Sequence, residues 1–425
     1  MWCKKKWYFI SGLLLTVFLL ISCGEAGTEK DAHGEKILQQ KEKIICYSLE
    51  SNSYMMDLAN VFNVQSVTTE VEVRCLSDEL YDEEIDRLLR KGEAADVVWI
   101  RQPSKSNNMA DAGLLYDLSD LVKDSALDIS CYGQSLDIVQ LDERIYSLPF
   151  VQNIWLLFYN QDIFRELSLD DPGHMTWHEY AALARRIQGR TSDGKIRWGG
   201  YIPAWVVNLG GLEMGEYLYA DELPATKEFL QFLNQIYSVE GTHPHPLEMG
   251  ETYPSGYAAF LDGEIGMMIN GDWTIQILQT LGKERTKSCH WGAAPLPVME
   301  NAEEGVSVGS NSYLGVAALS SHPENAFEFV QFCSGEDGAS VLASLNCFPS
   351  YYTENSREIY TRNLGMGKTD FFFDAILYNE EGKYLLYKDL RAVFDEEALL
   401  YLKGEKSLEE AMRDYENRRS QLSER

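Results

Sequence analysis

Between Ile44 and Ile100 the chain alternates between short apolar runs and segments of helical periodicity, and this alternation restricts the fold more than any other feature. Ile44 to Ser48, Val71 to Leu76 and Ala94 to Ile100 read as strands. Between them Met55, Leu58, Ala59 and Phe62, then Tyr81, Ile85, Leu88 and Leu89, recur at the spacing of one helix face. The run Ala94-Ala95-Asp96-Val97-Val98-Trp99-Ile100 is apolar enough to be covered on both faces. Strands joined through helices by short connections predict a parallel sheet and an α/β fold. The second half reads as more helical. Thr176-Trp177-His178-Glu179, Ser321-His322-Pro323-Glu324 and Ser407-Leu408-Glu409-Glu410 each have the pattern of a capping box.

The N-terminus bears on compartment. Lys4, Lys5 and Lys6 precede an apolar run from Trp7 to Ile21, which is short for a membrane-spanning helix and fits a secretory signal. Its end, Leu20-Ile21-Ser22-Cys23 before Gly24, resembles a bacterial lipobox. That resemblance implies a signal peptide at 1–22, lipid on Cys23 and a polar tether over 23–43. With 37 basic and 66 acidic residues the net charge is -29, which repels nucleic-acid phosphates and anionic bilayers alike. The remaining Cys46, Cys75, Cys131, Cys289, Cys333 and Cys347 show no zinc-like spacing. Cys46 and Cys75 could meet if their strands are neighbours; Cys46, Cys75 and Cys333 read as small core residues.

Beyond this point the order of motifs resembles the extracellular solute-binding proteins, family 1, of bacterial ABC importers. Ala95-Asp96-Val97-Val98-Trp99 followed by Ala112 to Leu118 is similar to one stretch of that family, with Ala95 and Tyr116 in place of its usual prolines. Ile145 to Pro149, then Leu157 to Phe164, resemble a second and third; Thr176-Trp177 resembles a fourth. Phe260 to Trp273 and Gly292 to Pro297 complete the set with the Ser321 helix. The resemblance implies a two-lobed periplasmic-binding-protein-like fold of type II, a monomer with the ligand in a cleft between α/β lobes. Its crossover strands would fall near Val151 and Ser310. One lobe would hold 44–150 plus 311–348, the other 151–310 plus 349–425. It also implies a small-molecule solute, ABC permease subunits as partners, and no cofactor.

In an open parallel sheet a ligand sits beyond the carboxyl ends of the strands. That rule selects Tyr47, Glu50 and Asn52 after the first strand and Arg101 and Gln102 after the third; Asp96 is a candidate brace for its strand. Position and resemblance together select Asn153, Trp155, Trp205, Glu251, Tyr253, Asp272, Trp273, Asn311 and Tyr313. Aromatic rings stack on the apolar face of a sugar, while carboxylates and amides bond its hydroxyls, so a carbohydrate is the expected solute. A polyamine, which would want several cleft carboxylates, is the alternative. Trp177 reads as a helix-start packing residue and Trp99 as a core strand residue. His243-Pro244-His245 reads as a surface turn rather than a metal site. An enzyme is disfavoured: the chain holds no G-x-S-x-G, H-E-x-x-H, P-loop or G-x-G-x-x-G, and isolated carboxylates say little among 66.

Overall fold

The computed structural model describes residues 41–132, 134–203, 206–245, 256–283, 285, 289–366, 369–382 and 386–423. The signal, Cys23 and tether segments lie outside these residues, except for the tether's last residues, 41–43, of which 42 and 43 open the first strand. The strands are β1 Glu42–Leu49, β2 Thr69–Leu76, β3 Val97–Ile100, β4 Gln140–Leu141, β5 Arg144–Ile145 and β6 Ser147–Asn160. They continue as β7 Gly189–Arg190, β8 Ile196–Tyr201, β9 Ile265–Gly271, β10 Trp291–Pro295, β11 Val306–Val316 and β12 Ile376–Asn379. Apart from the β4–β5 hairpin they form one sheet in the order β2-β1-β3-β11-β6-β9-β8-β7, with β10 against β6 and β12 against β11. β1 runs parallel to β2 and β3, and β8 parallel to β9; β11 is antiparallel to both β3 and β6.

The expected parallel unit is present. Helices Tyr54–Gln65 and Tyr81–Lys91 bury the predicted apolar faces between β1, β2 and β3. The third strand is shorter than its apolar run, because Asp96 turns its carboxylate back onto the sheet. Ile45 N donates to Asp96 Oδ2 at 2.8 Å and Ser320 Oγ donates to Oδ1 at 2.6 Å, so Asp96 is a brace. Burial of charge without such donors would be costly.

The apolar side chains divide into separate cores. One is built from β1, β3, the start of β6, the end of β11 and helix Pro323–Ser334. Past the crossing, β6 and β9 are covered on both faces. Trp155, Leu157, Tyr159, Met267 and Ile269 pack on one side; Ile154, Leu156, Phe158 and Met268 pack on the other. Period-two alternation assigns each residue to its core. The result is the two-lobed α/β architecture expected, with β6 and β11 running through both lobes.

Local signals fared unevenly. Thr176 forms its capping box with Glu179, and Ser407 and Glu410 exchange the same pair of bonds. Ser321 does not: Pro323 takes the first helical position and His322 the cap, so the start is one residue later and Asn325, not Glu324, stands at the third helical position. His243 is no surface residue. It is 1% exposed, with Nε2 2.8 Å from the Tyr180 hydroxyl and Nδ1 2.9 Å from Thr242 Oγ1. Burial lowers its pKa to about 3, so it is held neutral. β1 and β2 are neighbours, but the register sets Cys46 beside Val73 and Cys75 beside Ser48, and all six cysteines are free thiols.

Buried charge gives the lobe a pH dependence. Glu213 Oε2 accepts from Trp177 Nε1 and Met299 N, both at 3.0 Å, and burial pushes its carboxyl up to about 8. A folded-state pKa above the unfolded value means the contribution is complete below about 4.5 and lost as pH rises through 8. Glu213→Gln should therefore match the parent near pH 5 and exceed it at pH 8.5 by on the order of 1–3 kcal/mol, read as a shift in urea midpoint.

Candidate functional site

The carboxyl ends of β1 and β3 face the region where β6 and β11 cross. In that crossing Asn153 pairs with Ser310 and Asn311 with Gln152. Alternation puts Asn153 and Ser310 on one face and Gln152 and Asn311 on the other. Segment 348–350 adds a further strand edge: Gln152 N donates to Phe348 O at 2.9 Å and Ser350 N to Phe150 O at 3.0 Å. On the far side Glu380 N donates to Gly309 O at 2.7 Å, carrying β12 along β11.

Two aromatic rings dominate one side of the crossing. Trp155 is fully buried, and its ring meets that of the half-buried Trp273 edge-on, with centroids 5.5 Å apart at 77°. Trp155 also hydrogen-bonds the carboxyl of Glu380, whose pKa burial raises. Gly271 makes the arrangement possible, because a methyl group there would fall inside the Trp273 indole. Asp272, between them in sequence, turns the other way. Its Oδ1 accepts from Ile154 N at 3.2 Å while its own N donates to Ile154 O at 3.0 Å, pinning β6 to the end of β9. Burial lifts this carboxyl to about 7, and Tyr352 and Tyr360 lie within its field.

Beside Trp155 lies a carboxylate cluster that sequence reasoning missed. Glu380 and Glu381 are consecutive and partly buried; burial, with Glu380 next to it, pushes Glu381 up to about 7. Arg391, from helix Tyr387–Leu402, is the cation in their field, and its Nε already donates to Asp395 at 2.7 Å. Glu381 reaches the first lobe, accepting from Gln102 Nε2 and, at 3.4 Å, from Ser104 Oγ. The signal for the pair in sequence is only two adjacent acids, in a chain rich in acids.

The other predicted residues are scattered. Tyr47 is buried, with its carbonyl held by the Tyr81 hydroxyl at 3.0 Å, while Glu50 is exposed. Arg101 is exposed, its guanidinium 5.6 Å from the centre of the Trp99 ring. Asn311 faces away from the tryptophans: its Oδ1 accepts from Ser350 Oγ at 3.1 Å, and with Gln152, Gly309 and Tyr352 it lines a cavity of about 370 Å³ behind the crossing. Tyr313 is buried with its hydroxyl on Ser135 O at 3.3 Å. Trp177 and Trp99 are core residues. Trp205, Glu251 and Tyr253 lie outside the described residues. Among the described residues no cluster of His, Cys, Asp and Glu could hold a metal ion, and no helix is long and apolar enough to cross a membrane.

A two-lobed α/β body with an aromatic and acidic crossing defines a class of receptor rather than one ligand. The chain belongs to the family described as bacterial extracellular solute-binding protein, whose profile matches residues 53–340. It is similar to the multiple sugar-binding protein of Streptococcus mutans, 21% identical over 77% of this chain and 79% of that one. It is also similar to the maltodextrin-binding protein MdxE of Bacillus subtilis, 19% identical over 79% and 78%. Among solved structures, a sugar transporter from Rhizobium etli in an open conformation superposes with a TM-score of 0.79 at 24% identity, covering 88% of this chain and 98% of that one. An ABC substrate-binding protein from Listeria monocytogenes in complex with cycloalternan gives 0.74 at 18% identity, covering 90% and 99%.

The two tryptophans should separate in mutation. Trp155→Ala removes a fully buried ring and should destabilise by about 3–5 kcal/mol, whereas Trp273→Ala, at a half-buried position, should leave the urea midpoint much closer to that of the parent.

Proposed function

We propose that this protein is the extracytoplasmic receptor of an ABC importer, capturing a mono- or oligosaccharide between its lobes and delivering it to a membrane permease. The observation that carries the reading is the pairing of half-buried Trp273 with Trp155 beside the Glu380 carboxyl. A partly exposed indole with a carboxyl group close by suits a pyranose, whose C–H face stacks on an aromatic ring while its hydroxyls bond an acceptor. The relatives, which bind multiple sugars, maltodextrin or galactooligosaccharide by name, support the same class.

In this reading the lobes are 44–150 plus 311–348 and 151–310 plus 349–425, the hinge runs through β6 and β11, and the solute stabilises the closed form by touching both lobes. The contacting set includes Arg101 and Asn153 with Trp273, backed by the buried Trp155 and extended by Gln102, Glu380 and Glu381; Glu50, Trp205, Glu251 and Tyr253 remain candidates for its rim. Tyr47, Asp272 and Asn311 act from behind as supports. Cys23 carries the lipid that holds a monomeric receptor to the cell membrane, and the protein performs no catalysis.

A specific observation favours a second reading. Glu380, Glu381 and Asp395 share the field of Arg391, an acidic excess suited to a cationic solute such as a polyamine. A thermal-shift screen of the chain from residue 41 onward against sugars, oligosaccharides and polyamines decides between them. A binder at 100 times its dissociation constant should add about 2.7 kcal/mol of stability. Stabilisation by one sugar class, reduced at least tenfold in affinity by Trp273→Ala and by Gly271→Ala, is the expected result. Stabilisation by polyamines alone would sink the carbohydrate reading.

A further inference from the structure

We propose that Glu381 is an interlobe clip: its carboxyl group, carried on the segment after β12, accepts hydrogen bonds from Gln102 and Ser104 and so holds the first lobe against the second. The geometry is specific. Gln102 caps helix Pro103–Asp111, which follows directly on β3 in the first core, while Glu381 leads into helix Tyr387–Leu402, whose Tyr387, Leu390 and Phe394 belong to a core of the other lobe. The Gln102 and Ser104 bonds therefore link side chains anchored in different cores, across the place where a solute would enter. A solute that closes the same gap must either replace Glu381 or be added to it, so the clip sets how open the empty cleft stands.

The clip is sensitive to protons. Among the described residues the groups facing Glu381 are Glu380 on its own segment, Arg391 and Tyr387 from the following helix with Asp395 bonded to that arginine, and Tyr313 from β11; its first-lobe partners Gln102 and Ser104 are uncharged. Tyr313 and Tyr387 stay neutral throughout the range considered, since burial raises both. Glu380 beside it opposes ionisation, and Arg391, already engaged by Asp395, offsets that only in part. In the clipped form Glu381 titrates at about 7; released into water it returns towards the ordinary value of 4.5. The clipped form thus binds the proton more tightly. It is favoured at low pH and lost as pH rises through about 7, the clipped-to-released ratio falling by up to about tenfold per pH unit between those values.

The proposal rests on the two-lobed cleft described above but needs no solute, so its failure and failure of the carbohydrate reading are separate events. Spin labels on p-acetylphenylalanine at the exposed positions Val64 and Val239, one per lobe, report lobe separation in the full chain by double electron–electron resonance. The expected result is a short distance at pH 5 that gives way to a longer one by pH 8. Glu381→Gln should keep the short distance at both, and Glu381→Ala or, from the other lobe, Gln102→Ala should show the longer one throughout. A parent distribution identical at pH 5 and pH 8, or alanine variants indistinguishable from the parent at pH 5, would overturn it.

Discussion

The antiparallel ladder between β6 and β11 is the constraint on which the other parts depend. From Gly309 beside Ile154 to Gly315 beside Ser147 it is continuous except for one irregularity, and it is the place where the cores share backbone. Its bonds fix where β3 ends against Tyr313, where β9 begins to pair beyond Trp155, and where β12 can attach. Each lobe packs its own apolar faces, but neither chooses its orientation independently. A lobe can rotate only by twisting these strands, because breaking the ladder would leave buried amides without partners.

Polar groups at this crossing are held at the edge of what burial permits. Asp272 spends its carboxylate on the amide of Ile154, an internal bond that a hydrophobic residue could not make. Among the described residues Glu380 and Glu381 share the field of the Arg391 guanidinium with Asp395, and burial raises both carboxyls above their usual range. Such an arrangement is poor for stability and suited to a place that is to be filled or vacated, since a ligand with donors relieves the charge that the fold leaves uncompensated.

Much of the first lobe was legible in the sequence, because β1 to β3 and their helices alternate locally and each apolar face buries against its immediate neighbours. Motif order gave the expectation of crossovers near Val151 and Ser310, and those residues lie within β6 and β11. What escaped was set by distance along the chain. Glu381 meets Gln102 across 279 positions, and nothing local to either announces it. Asp272 and Trp273 stand side by side in sequence, yet only backbone geometry decides that one bonds Ile154 and the other packs its ring on Trp155. His243 resembled a turn because Pro244 follows it. Its burial depends on Tyr180, a helix away, and on Gly200, where any side chain would collide with both.

The irregularity in the ladder falls between Ser312 and Tyr313, where β6 advances from Val151 to Pro149 and leaves Phe150 over. One unpaired residue bends a strand and sharpens its twist. Here the bend coincides with the passage from one core to the next, and Phe150 still finds use: its side chain is buried in the first core and its carbonyl takes Ser350 N. The bend is thus sensitive to counting rather than to chemistry. Exchanging Phe150 for another apolar residue alters packing by degrees. Deleting it would remove the bulge and its bend, while Ser147 to Pro149 could keep their partners Gly315 to Tyr313.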